Sequence, residues 1–186
     1  MKKELVNLSK IISYALRHKP DKYNLILDGE GWVLTSELLT SIKTKHPNLV
    51  WATSESIADI IDLSDKSRFE LSEYSIRALY GHSIPEKIIK TPETPPYYLY
   101  HGTTENVIDI IMKNGLQPMR RQYVHLSVDI DTAVIVGKRR TRKPIILKIN
   151  TKEANRSNIK FYKGNDSIWL SEAIPSEFIT LEEDKI

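Results

Sequence analysis

Three prolines fall within six residues of this chain, Thr91-Pro92-Glu93-Thr94-Pro95-Pro96. Proline fixes φ and has no N–H to donate, so neither a helix nor a paired strand can run through this stretch. It reads as an extended linker, with one lobe near residues 1–90 and a second near 95–186. A chain of 186 residues has room for one ordinary domain or two small lobes. With 40% hydrophobic residues it holds enough apolar material for packed cores.

The first lobe opens with Leu5, Leu8, Ile12 and Ala15/Leu16 at helical spacing. Pro20 should end that helix, leaving Arg17 and His18 in its last turn, where the helix dipole favours cations. Trp32-Val33-Leu34 is a short apolar run. Thr35 is expected to cap a helix through Leu38, Leu39 and Ile42, and Ser54 a second through Ile57, Ile60 and Ile61. Residues 68–71 and 75–79 alternate like two strands of a hairpin. Helices followed by a hairpin suggest a winged-helix module.

The second lobe begins with the strand-like run Tyr97-Tyr98-Leu99-Tyr100. A helix is expected over 104–114 with Gly115 just past its end, a strand at 124–127 and a short helix over 129–136. Strands are expected at 144–150, 159–162 and 167–170. Many short strands with few helices indicate a mainly antiparallel α+β lobe. There is no Walker phosphate loop and no G-x-G-x-x-G.

The chain has no cysteine, which excludes disulfides and thiolate metal sites. No apolar run approaches the ~20 residues of a membrane helix, and nothing after Met1-Lys2-Lys3-Glu4 resembles a signal peptide. The expectation is a soluble, cytoplasmic protein. From Lys113 to Lys148 there are nine Lys/Arg against two acids, Asp129 and Asp131. That excess suits a polyanion such as RNA or a pyrophosphate, though a solvated basic surface would read the same.

Four features could carry chemistry: Arg17-His18, Lys66-Ser67-Arg68-Phe69, Tyr100-His101-Gly102-Thr103, and the run from Met119 to Ser127 containing Arg120, Arg121 and His125. Each alone also fits an exposed helix end, a surface strand or a plain turn. Together, several arginine forks and a histidine suit a dianionic phosphate monoester. Paired carboxylates, a metal-ligand cluster and a Ser/His/Asp arrangement are absent from this reading, so a nucleophile is expected to come with the substrate.

These residues identify a resemblance that runs over nearly the whole chain. In order and spacing, Leu16-Arg17-His18, Asp28-Gly29 to Trp32, Arg68-Phe69, Gly81-His82-Ser83, Tyr100-His101-Gly102-Thr103, Gly115-Leu116, Met119-x-Arg121-x-x-Val124-His125-Leu126-Ser127 and Val136-Gly137 resemble the RNA 2′-phosphotransferases of the tRNA-splicing type (KptA-type). The resemblance implies an α+β protein with an N-terminal winged-helix RNA lobe and a C-terminal ADP-ribosyltransferase-like antiparallel β lobe for NAD⁺. It implies a phosphate-binding catalytic set of Arg17, His18, Arg68 and Arg121, the family spacing selecting Arg121 over Arg120. It implies NAD⁺-site residues Gly81, His82, Ser83, His101, Gly102, Thr103, Gly115, His125, Ser127 and Ile168, with His101, His125 and Ile168 in the three signature positions of ADP-ribosyltransferases. Many relatives carry glutamate at the third; here it is apolar, with Glu172 displaced from it. No metal and no obligate protein partner is implied.

The implied partners are NAD⁺, as co-substrate, and a tRNA-like RNA bearing a 2′-phosphate. The implied reaction joins the RNA 2′-phosphate to C1″ of the nicotinamide ribose, expelling nicotinamide. The 2″-hydroxyl then attacks phosphorus, giving ADP-ribose 1″,2″-cyclic phosphate and RNA with a free 2′-hydroxyl. Leu79-Tyr80 stands where relatives usually carry Asn-Gln, and Asn165-Asp166-Ser167-Ile168 replaces a more usual Asn-Gly-Val. Two rivals stay open: an ADP-ribosyltransferase that caps nucleic-acid phosphate ends and stops after the first step, and a non-enzymatic RNA-binding protein. The basic stretch Lys138-Arg139-Arg140-Thr141-Arg142-Lys143 leaves RNA and pyrophosphate both open as partners.

Overall fold

The computed structural model describes residues 2–64 and 67–182; Lys66 lies outside them. The chain is α+β and divides into two compact units, Met1–Lys90 and Thr91–Ile186. Among the described residues, no helix is long and apolar enough to cross a membrane.

In the first unit, α1 spans Lys3–Arg17 and buries Leu5, Leu8, Ile12, Ala15 and Leu16, the stripe that the helical period puts on one face. Removing each large aliphatic side chain from water contributes roughly 1.5–3 kcal/mol. The helix stops at Arg17; the N–H groups of His18 and Lys19 both donate to Tyr14 O, at 3.1 and 3.0 Å, just before Pro20. Helices α2 (Thr35–Lys45) and α3 (Ser54–Asp62) complete the helical part. Strands β1 (Val33–Leu34), β2 (Phe69–Leu71) and β3 (Ser75–Ala78) form an antiparallel sheet in the order β1-β3-β2. The apolar run before α2 is therefore a third strand beside the expected hairpin.

Both expected caps fall elsewhere. Thr35 is the first residue of α2, and Leu34 holds the cap position. Pairing of Leu34 with Ser75 keeps the chain extended to that point, and the Thr35 N–H continues the ladder by donating to Tyr74 O (2.9 Å). The cap of α3 is Thr53, not Ser54. Ser56 N–H donates to Thr53 Oγ1 at 3.3 Å and Thr53 N–H to Ser56 Oγ at 2.9 Å. This reciprocal box needs polar side chains three residues apart, and Ser54 would face Ile57.

The second unit is built on a six-stranded antiparallel sheet, ordered β7-β8-β5-β4-β6-β9. The strands are β4 (Tyr98–Thr103), β5 (Val124–Ser127), β6 (Ile145–Asn150), β7 (Phe161–Lys163), β8 (Ile168–Ser171) and β9 (Ile179–Leu181). Leu99, Leu126, Leu147, Ile149, Phe161 and Trp169 belong to its core. Helix α4 (Glu105–Asn114) ends at Gly115, whose φ of 77° is costly for any residue with a Cβ. Helix α5 (Ile130–Gly137) is capped by Asp129, whose carboxylate accepts from Thr132 N–H at 2.7 Å. Helix α6 (Thr151–Arg156) and β9 have no counterpart among the sequence expectations. The proline stretch is bonded into this unit: Glu93 N–H donates to Phe161 O (2.8 Å), and Thr151 Oγ1 donates to Pro96 O.

Candidate functional site

In the first unit, the C-terminal end of α1 meets two segments remote in sequence. Arg17 Nη2 donates to the backbone carbonyl of Arg68, 51 residues away, at 3.2 Å. Its guanidinium carbon lies 5.0 Å from the Tyr80 ring centre and 5.9 Å from that of Phe69, a cation–π setting for a partly buried charge. Gly81, at φ 92°, packs under the same side chain, with Arg17 Cδ and Nη1 each 3.5 Å from the place a Cβ would occupy. Ser83 N–H donates to Arg17 O at 2.9 Å, and Ser83 Oγ lies 2.9 Å from His18 Nδ1. Arg68 Nη1 donates to Ser64 Oγ at 2.9 Å. His18 and Arg68 line one open cavity of about 330 Å³ with Lys10, Ser13 and Tyr14. Three of the four expected phosphate ligands thus stand together here.

Tyr80 and Ser64 were not expected at this site. Tyr80 carries a weak signal in the sequence, an aromatic immediately before a glycine, but its pairing with Arg17 depends on long-range folding. Ser64, four residues before Arg68, carries no distinguishing pattern.

His82 is 4% exposed, and its Nε2 has no hydrogen-bond partner among the described residues. That nitrogen lies 3.7 Å from where a Cβ on Gly31 would stand. Gly31 (φ 88°) belongs to a tight loop in which Asp28 Oδ1 accepts the N–H groups of Glu30 and Trp32, both at 2.9 Å. Burial, followed by the charges of Arg17, Lys90 and His18, pushes the His82 pKa down to about 3. An unfolded histidine titrates near 6.5. The neutral ring therefore favours folding above pH ~6.5, and that advantage is lost as pH falls toward 3. Chemical-denaturation stability should drop between pH 6.5 and 4 by up to about 1.4 kcal/mol per unit. His82→Gln should flatten this slope; an unchanged slope would remove His82 from the account.

In the second unit His101, Gly102 and Thr103 sit on β4, His125 and Ser127 on β5 and Ile168 on β8, three adjacent strands, while Gly115 follows α4 and Arg121 precedes β5. Tyr100 opposes Ser127, and Ser127 opposes Ile168, so one face carries this row. Beyond that row β4 and β5 part, while β4 stays paired with β6 to Thr103. At the opening a side chain replaces the ladder: His101 Nδ1–H donates to His125 O at 2.9 Å. A carbonyl can only accept, so Nδ1 carries the proton and Nε2 the lone pair. Burial pushes the His101 pKa down; the bond to His125 O opposes this and the nearby Arg121 charge reinforces it. His101 is thus a neutral imidazole beside an arginine. Thr103 and Ser127 are buried, and Ile168 is half-buried. His125 Nδ1–H donates to Tyr123 O at 3.0 Å. Arg121 is exposed, two residues before the buried Tyr123, whose phenol burial pushes up to about 12.

Two expected dinucleotide-site glycines have packing reasons of their own. A Cβ on Gly102 would meet Ala133 O at 2.3 Å and the backbone of Gly137 at 3.1 Å, so β4 and α5 cross there in direct backbone contact. A Cβ on Gly115 would meet Ile174 O at 2.2 Å, beside the Leu116–Ile174 bridge. Lys138, Arg139, Arg140, Arg142 and Lys143 are all exposed in the turn between α5 and β6. Among the described residues, no group of acids and histidines could hold a metal ion.

Residues 3–173 match the model of the RNA 2′-phosphotransferase, Tpt1/KptA family. A "probable RNA 2′-phosphotransferase" of Bacillus thuringiensis subsp. konkukian is 51% identical over 180 residues, 96% of either chain. One so named from Acetivibrio thermocellus is 51% identical over 177 residues, 94% of this chain and 96% of its own. Another from Thermococcus kodakarensis is 37% identical over 181 residues, 97% of this chain and 99% of its own. With the match covering both units and every candidate residue, the chain belongs to the RNA 2′-phosphotransferase, Tpt1/KptA family.

Proposed function

We propose that this chain is an NAD⁺-dependent RNA 2′-phosphotransferase. It moves an internal RNA 2′-phosphate onto the ADP-ribose part of NAD⁺ through a 2′-phospho-ADP-ribosylated RNA, and releases nicotinamide, ADP-ribose 1″,2″-cyclic phosphate and RNA with a 2′-hydroxyl. The observation that carries this is the grouping of Arg17, His18 and Arg68 at the end of α1. Two guanidinium groups and an imidazole suit a phosphate dianion far better than a neutral substrate. In this reading the first unit is a winged-helix RNA lobe, supported by its three helices and the β2–β3 hairpin, with β1 as a further strand. The second is an ADP-ribosyltransferase-like lobe that carries Arg121, which the resemblance makes a phosphate ligand.

The opened β4–β5 seam fits a dinucleotide ribose. His101, held neutral with Nε2 as acceptor, can receive a ribose hydroxyl, and the β4–β5 pairing stops beside it. Thr103 and Ser127 add hydroxyls on the same two strands. A phosphate nucleophile is anionic at neutral pH and needs no general base, in keeping with apolar Ile168 at the end of the Tyr100–Ser127–Ile168 row. The residues' task is to align two anionic substrates and to compensate charge. Ile168→Glu is therefore expected to leave turnover equal or lower, by steady-state rates; a faster enzyme would contradict base-free attack.

The test is nicotinamide release. Purified protein with NAD⁺ should release it only when RNA with an internal 2′-phosphate is present. Release with unphosphorylated RNA, or none with phosphorylated RNA, would overturn the proposal.

A further inference from the structure

We infer that Ser83 is a positioning residue for His18, acting on the phosphate through that imidazole and not as a contact to NAD⁺. The inference rests on the phosphate-transfer reading above. Ser83 Oγ stands 2.9 Å from His18 Nδ1, 65 residues away in sequence, and Ser83 N–H ties the same segment to Arg17 O at 2.9 Å. One residue thus grips both members of the Arg17-His18 pair, one by its backbone and one by its side chain.

The pair needs such a grip. Its helix ends at Arg17, and His18 has left helical geometry, with φ −126° and ψ −35°. Backbone helicity therefore does not orient the His18 ring, which is exposed. The exposed imidazole is oriented by the groups that engage it, among them the Tyr14 ring, 6.3 Å away between centroids, and the Ser83 hydroxyl. A hydroxyl suits this position because it both donates and accepts. It can donate to Nδ1 of a neutral ring or accept Nδ1–H from an imidazolium. When Ser83 donates to Nδ1 of the neutral ring, or accepts from the imidazolium, Nε2 carries the proton that a donor to a phosphate oxygen needs. Gly81 at φ 92° turns the chain so that Tyr80 stacks on Arg17 while Ser83 reaches His18. The 80–83 segment is thus a saddle under the phosphate ligands.

Ser83→Ala keeps the backbone bond to Arg17 and removes only the hydroxyl, while Ser83→Thr keeps a hydroxyl. Three measurements on the full chain decide the role. The ¹⁵N resonance of His18 Nδ1 should move in Ser83→Ala and return in Ser83→Thr. Affinity for a 2′-phosphorylated oligonucleotide should fall about five- to tenfold in Ser83→Ala, and the same change should cost nothing further in a His18→Ala background. The KM for NAD⁺ should stay at the wild-type value.

An unmoved Nδ1 resonance, additive losses in the double variant, or a rise confined to the KM for NAD⁺ would each overturn the inference. Failure of the phosphate-transfer reading has a separate signature: wild-type protein would release no nicotinamide, while the Nδ1 resonance would still report whether Ser83 holds His18.

Discussion

Arg68→Ala is expected to lower kcat/KM for a 2′-phosphorylated RNA by about 10- to 150-fold, the ~1.5–3 kcal/mol of a hydrogen bond to a charged group. The fold should survive this change. What Arg68 gives the structure through its backbone stays in the variant: its carbonyl accepts Arg17 Nη2 at 3.2 Å and Leu79 N–H at 2.9 Å. The side chain's link to Ser64 Oγ is half-buried and modest. The loss should therefore appear in turnover and RNA affinity and not in the melting temperature. Wild-type turnover in Arg68→Ala would contradict its role as a phosphate ligand.

Gly102→Ala should produce the opposite pattern, with stability lost first. The added Cβ would stand 2.3 Å from Ala133 O and 3.1 Å from the N and Cα of Gly137. These are all backbone atoms, so no side chain can rotate away and α5 must move off β4. Overpacking of this kind costs typically 1–3 kcal/mol, occasionally more, which in a unit of this size is a fall of roughly 10 °C in melting temperature. Thermal unfolding followed by circular dichroism checks it. A variant that melts like wild type yet loses NAD⁺ binding would show that Gly102 serves the ligand and not the crossing.

Much of the local structure was legible in the sequence because its signals are local. The apolar stripe of α1 and the stop before Pro20 follow from side-chain period and proline geometry within twenty residues. The β2–β3 hairpin follows from alternation in the same way. What the sequence did not disclose depends on pairing at a distance. Nothing in Val33-Leu34 says that it will join β3, and nothing in β4 says that it will lie between β5 and β6. The cap of α3 falls one residue before the expected Ser54, because the choice between Thr53 and Ser54 turns on which hydroxyl faces another three residues on.

The same division holds at the site. Arg17-His18 at a helix end could be read directly, whereas the stacking of Tyr80 on Arg17 and the reach of Ser83 to His18 arise only after residues 80–83 fold back over α1. His101 is a candidate from sequence by its place at a strand end. Its bond to the His125 carbonyl, which fixes which nitrogen can accept, needed the seam between β4 and β5 to be seen.

Phosphate transfer to NAD⁺ is tested by mass analysis of every product after incubating the protein with NAD⁺ and an internally 2′-phosphorylated RNA. The expected products are RNA lighter by one phosphate with a 2′-hydroxyl, ADP-ribose cyclic phosphate, and nicotinamide in equal amounts. Stable ADP-ribosylated RNA as the end product, or RNA recovered with its phosphate intact, would contradict it.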